Sequence, residues 1–310
     1  MRRFLLSSVI VASVAAAAIA LTAAFFSDTE TSSNNLFQTG AIDLLVDNTS
    51  YYNGVYHAAT SWLAADLNDN QGPSQGLYKF FDFLDLKPSD WGEDTISLHV
   101  ETNDAWACYD VSLTSNDDNT CNEPESDDDP TCDDPDDDLE DGELAQNIQF
   151  VLWRDDGDNV YETCDIQDPP PDCFDETPLL FDQGSLDQVI PQLHGALADS
   201  NGGILGLNGQ PITGDQVYYL GKAWCFGDLS FSPVDQDGQG FIANQGANGP
   251  DVRNSGILCD GSTLDNATQT DILTADISFS AIQARNNSGF LCIDEPTCQQ
   301  QDAPANNYLG

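Results

Sequence analysis

The stretch LTADISFSA, Leu273–Ala281, places an apolar residue at every odd position and a polar or small one between. A two-residue period is the signature of a β-strand with one face in a core and one in water. The same alternation runs through TISLHVE, Thr95–Glu101, and YDVSLT, Tyr109–Thr114. The segment NIQFVLW, Asn147–Trp153, is apolar enough to be buried on both faces, and VYYL, Val217–Leu220, is a further strand. Gly-, Pro-, Asn- and Asp-rich turns separate these pieces. Helical periodicity is confined to Ser185–Leu197, with Ser185 as N-cap, Leu186, Val189, Ile190, Leu193 and Leu197 on one side, and Pro191 interrupting it. The expected architecture is all-β, a jelly-roll type β-sandwich with long acidic loop insertions and at most short helices.

The chain opens with Met1-Arg2-Arg3 and an apolar run, Phe4–Ala24, that ends in small residues. This is the build of a signal peptide, residues 1–24, cut between Ala24 and Phe25. The run is also long enough to cross a bilayer, so an uncleaved anchor is the alternative. On the first reading the product is secreted, extracellular or on the cell surface, and touches the membrane only through its uncleaved precursor. Residues 25–40 then form an N-terminal segment, and residues 41–310 a single β domain with an acidic insertion at 116–143.

Without residues 1–24, six Lys and Arg face 53 Asp and Glu, a net charge of about −47. Such a field repels nucleic acid and anionic membranes and demands counter-ions. Fifteen of the 27 residues from Asp117 to Glu143 are acidic and three are proline, which argues against any packed element there. That insertion reads as a solvated loop or as a cation-collecting arm.

Nine cysteines in an exported chain read as disulfides. Close spacing suggests Cys121–Cys132, Cys164–Cys173 and Cys292–Cys298, with Cys225–Cys259 as a longer staple and Cys108 left over. Zinc is disfavoured because no CxxC pair is present.

Two Asp-rich stretches invite a metal. DQDGQGFI, Asp235–Ile242, matches the start of a calcium loop through Asp235, Asp237 and Gln239, but Gly246 stands where the bidentate acid belongs. RDDGDNVYE, Arg154–Glu162, fits no register of that template, although Asp155, Asp156, Asp158 and Glu162 can meet around a turn. Plain turns have the same composition. No cofactor is certain, and Ca2+ is the candidate. Catalytic signals are sparse: the histidines are His57, His99 and His194, with His99 expected on an exposed strand face, and there is no HExxH, GxSxG or P-loop. No catalytic residue is assigned.

The junction AAFFSDTETSSNNLFQTGAIDL, Ala23–Leu44, resembles the one found in TasA and camelysin-type proteins, whose precursors are cut by the SipW signal peptidase. LDLKPSDWGEDTISLHVETNDAWACYDVSL, Leu84–Leu113, is similar to that family's LKPGD turn and its flanking strands, with Ser89 in place of the glycine. ISFSAIQARN, Ile277–Asn286, resembles its last core strand. Together these cover roughly a quarter of the chain. The resemblance implies a jelly-roll subunit that polymerises with copies of itself into biofilm-matrix or pilus-like fibres. Phe25, Phe26, Leu36 and Phe37 would anchor a donor strand added to a neighbouring subunit. Such a contact runs head to tail and builds a filament. The alternatives are a camelysin-like cell-surface metalloprotease, and a monomeric acidic domain binding calcium or polysaccharide in which Phe25–Phe37 folds back on its own domain.

Overall fold

Alternating and apolar segments pair into antiparallel sheets. The computed structural model describes residues 42–132, 142–164, 183–190, 194–205, 207–241 and 248–292, all within the compact unit Gly40–Gly310. The strands are β1 (Asp43–Tyr52), β2 (Val55–Tyr56), β3 (Trp62–Ala65), β4 (Trp91–Glu101), β5 (Ala105–Asp117), β6 (Ile148–Asp155) and β7 (Glu162–Thr163). They continue as β8 (Gly184–Ser185), β9 (His194–Ala198), β10 (Gln216–Phe226), β11 (Asp228–Phe231), β12 (Val234–Asp235), β13 (Ile257–Asp260) and β14 (Ile272–Gln283). Every helix among the described residues is a single short turn. The fold is all-β.

A seven-stranded sheet runs β2-β1-β4-β10-β6-β8, with β3 also on β1, and a three-stranded sheet runs β14-β5-β9. The register aligns even-numbered residues of the large sheet, such as Val46 with Leu98 and Ile96 with Leu220. These point into one core with Ala105, Ala107 and Tyr109 of β5. The odd-numbered apolar residues of Leu273–Ala281 pack against that core too, so the alternation in the sequence is the alternation of faces in β14. The opposite face of the large sheet is not open to water. A second cluster built on Val151, Trp153, Ala223 and Cys225 is covered by Tyr161, Leu229 and Ile257.

Three expectations change. The segment Ser185–Leu197 is not one helix: a turn spans Leu186–Val189, and Leu197 belongs to β9 on the edge of β5. Pairing with β5 outweighs a helical pattern that Pro191 already weakens. The acidic insertion does carry one packed turn, Glu125–Asp128, because the fully buried Glu125 carboxylate accepts from the Asn122 backbone and the Thr270 hydroxyl. His99 is half-buried on the large sheet's outer face, 2.6 Å from Asp47 Oδ2. In the turn before β4, Ser89 has φ +78°, the left-handed region that favours glycine.

Candidate functional site

β6 carries Asp155 to the end of the large sheet, and the chain then turns through Gly157 (φ +110°) and Asn159 (φ +66°) into β7. Because β7 pairs in parallel with β12, Glu162 is opposite Val234, and the loop after β12 comes back over the turn. Phe241 N donates to Asp156 O at 3.3 Å, and the Phe241 ring stacks on Tyr219. The two Asp-rich stretches thus form one acidic centre, not two separate loops. Oxygens of Asp155, Asp156 and Asp158 lie within 4.8 Å of one another, as do those of Asp158, Glu162 and Asp237.

The outer group shares a guanidinium. Arg253 lies 2.9 Å from Asp158 Oδ2 and 3.4 Å from Asp237 Oδ2, pairs with Glu162, and donates to Asp235 O at 2.6 Å. Asn248 Nδ2 adds a contact to Asp158 Oδ2 at 3.3 Å. The inner group is differently supplied. Asp155 Oδ2 accepts from Thr95 Oγ1 at 2.7 Å and Asn159 N at 3.3 Å, but Asp155 Oδ1 has no donor among the described residues. Neither oxygen of the fully buried Glu93 has one, nor does Oδ1 of Asn159.

Burial and crowding push these acids upward. Desolvation is the main cause throughout: Asp155 rises to about 7, with Asp156 as the next contributor, and Asp156 itself rises to about 6. Asp158 reaches about 9 through burial and then the charges of Asp155, Asp156 and Glu162. Glu162 rises to about 7 although Arg253 opposes the shift, and Glu93 is held well above its ordinary range by burial and Asp155.

Of the residues singled out as calcium ligands, the structure gathers Asp155, Asp158, Glu162 and Asp237. It leaves the exposed side chains of Asp235 and Gln239 outside the cluster. The calcium-loop template misleads because Asp237 turns toward Arg253, while Gln239 N caps Asp237 Oδ1 at 2.8 Å. Sequence patterning misses Glu93 and Asn159. Arg253 had a signal: Lys and Arg total eight in the whole chain, so each carries unusual weight.

A second feature lies beside β14. A cleft of about 1140 Å³ runs along Ile272–Ile277, lined by Phe81, Phe83, Leu86, Leu144 and Ile190. Exposed Leu77, Leu84 and Ile272 stand at its rim. Among the described residues β14 pairs only with β5, whereas the outer edge of β9 is bonded by Ile204 N and Leu205 N.

Disulfides join Cys121 to Cys132 and Cys225 to Cys259 as spacing suggests. Cys292 pairs with Cys108 and not with Cys298, correcting that expectation. The antiparallel return of β14 along β5 puts Ser280 opposite Cys108, so the chain after β14 comes back to that thiol. Cys164 is disulfide-bonded. Cys173 and Cys298 lie outside the described residues, as do the expected cleavage site at Ala24 and Phe25, Phe26, Leu36 and Phe37, the expected donor-strand residues. His57 meets Thr60 Oγ1 and His99 meets Asp47, and no histidine joins a cluster of potential metal ligands among the described residues. No helix among the described residues is long and apolar enough to cross a membrane. No protein-family model matches the chain, and no curated protein shows significant similarity to it.

Proposed function

We propose that the chain is an exported structural subunit, cut after Ala24 by a signal peptidase of the SipW type. It then assembles with copies of itself into extracellular fibres. The donor is Phe25–Phe37, and the acceptor is the outer edge of β14 on the next, jelly-roll type subunit. One observation carries the reading: β14, twelve residues long, pairs on one side only among the described residues and borders an apolar cleft. A long unpaired edge beside exposed apolar side chains is a template for strand addition. The large sheet has seven strands and the small sheet three, so an added strand at β14 would extend the narrower layer over the shared core. Main-chain hydrogen bonds would supply affinity, and the phenyl rings of Phe25 and Phe26 would fix the register.

Charge sets the conditions. Asp82, Asp85, Asp271 and Asp276 border the cleft, and the donor itself contains Asp28 and Glu30. Assembly should therefore accelerate with ionic strength, as screening shortens the reach of this repulsion. The test is negative-stain microscopy of Phe25–Gly310 over days in low and high salt, beside the same chain without residues 25–37. Filaments from the first and a folded monomer from the second, by circular dichroism and size-exclusion chromatography, are expected. A folded Phe25–Gly310 that stays monomeric in all salts would sink the proposal.

A further inference from the structure

The acidic centre sits on the outer face of the large sheet and is independent of the β14 edge. Its outer carboxylates have Arg253, which supplies one positive charge to a group that also includes Glu93, Asp155 and Asp156. Inside, four buried oxygens have no donor among the described residues: both of Glu93, Oδ1 of Asp155 and Oδ1 of Asn159. Glu93 is fully buried, and Asp155 and Asn159 are nearly so. Burying several acceptors together without donors is unfavourable, and a cation that joins them removes the penalty. The side chains are not free to escape. Glu93 and Thr95 share a face of β4 between β1 and β10, and Thr95 holds Asp155 through its hydroxyl.

We propose that Asp155, Asp156 and Asp158 bind one calcium ion, and that the Glu93 carboxylate and Asn159 amide oxygen, unpartnered among the described residues, move in to complete its sphere. Calcium takes six to eight oxygen ligands at about 2.3–2.6 Å, so ligands on opposite sides of the ion stand about 5 Å apart. The oxygens of the three aspartates, all within 4.8 Å of one another, fit inside that sphere. Magnesium demands a tighter octahedron and keeps most of its water, which a buried set of carboxylates and an amide does not favour. Asp158 belongs to both the inner and outer groups, so the ion and Arg253 would share it and together tie the turn after β6 to β4 and to the loop after β12. The ion would thus close a junction between segments distant in the chain.

The purified chain, stripped with EDTA and held in excess monovalent salt, is titrated with Tb3+ while indole is excited, and Ca2+ is then used to displace it. Trp153 and Tyr161 pack in the cluster next to the site. Asp66 and Asp69 also lie beside Tyr78, which packs on Trp62, so emission is assigned to the proposed site by its loss in E93Q and D156N. The expected result is a saturable signal, displaced by sub-millimolar Ca2+, the order of extracellular calcium modules. Mg2+ should need at least about tenfold more. Calorimetry should show E93Q and D156N each weakening Ca2+ by about tenfold or more, and D118N should leave it unchanged. If one of the two variants fails to fold, the other still decides. Absence of saturable emission, displacement by Mg2+ at equal concentration, or unchanged Ca2+ affinity in folded E93Q and D156N would overturn the assignment.

Discussion

Lys222 Nζ lies 2.7 Å from Asp94 Oδ2, with both side chains buried on the face of the large sheet opposite the acidic centre. The ammonium also stands 3.7 Å over the Phe81 ring and 3.4 Å from Phe80 O, so the pair fastens the segment carrying both phenylalanines to β10. Asn48 Nδ2 completes the arrangement at 3.0 Å from Asp94 Oδ1. A buried charge that loses its partner is far worse than no charge at all. Lys222→Met should cost about 3–5 kcal/mol in urea unfolding. The double variant Lys222→Met with Asp94→Leu should recover a large part of that. Equal losses in the single and double variants would show that the cost is packing and not charge.

The middle of the large sheet is intolerant for a steric reason. A Cβ on Gly221 would stand 2.0 Å from Cε2 of the fully buried Trp153. Gly221→Ala must displace the indole or bend β10, and overpacking of this kind costs about 1–3 kcal/mol or more. The expected readouts are a lower urea midpoint and altered near-UV circular dichroism from the Trp153 environment. An unchanged midpoint would mean that the indole moves at no cost.

The strands that alternate cleanly were legible because two-residue periodicity is a local property. Leu273–Ala281 and Thr95–Glu101 predict β14 and β4 to within a few residues of their ends. The acids of the centre were legible as two separate local clusters, Asp155, Asp156, Asp158 and Glu162 in one and Asp237 in the other. The closure of the centre by Asp237 and Arg253 depends on the parallel β7–β12 pairing, which no local pattern encodes. Glu93 was hidden in a strand that looks ordinary, and it is buried between Tyr51 of β1 and Ala223 of β10, a placement that only the pairing of β4 decides. The helix expected at Ser185–Leu197 failed for the same reason: partner strand β5 decided the state of Leu197.

The cross-link between Cys108 and Cys292 spans 184 residues. It pins the middle strand of the small sheet to the chain just after β14. Loop-closure entropy for that span gives about 5 kcal/mol as an upper value, and measured effects are commonly smaller. Cys292→Ser should therefore lower stability by about 2–5 kcal/mol, more than Cys121→Ser, whose loop has a separation of 11 residues. If both variants lose the same amount, chain entropy is not the source of the stabilisation.

At the base of the acidic insertion, Asp271 stands beside Asp118 and Glu143, with Glu143 N donating to Asp271 Oδ2 at 2.8 Å. Burial, and then the hydrogen bond shared with Asp118, push Asp271 up to about 8. Its ordinary value is 3.8, so the folded chain keeps a proton here that the unfolded chain releases between about pH 4 and 8. Stability from this group is fully present below the lower value and is lost as pH rises through the upper one. Asp271→Asn removes the titration while retaining an oxygen to accept from Glu143 N. The melting temperatures of variant and parent should nearly coincide near pH 4, and the variant should gain steadily up to about pH 9. The gain should amount to no more than a few degrees, because the site is partly open to solvent and screening weakens it. A constant offset at every pH would instead assign the effect of the substitution to packing alone.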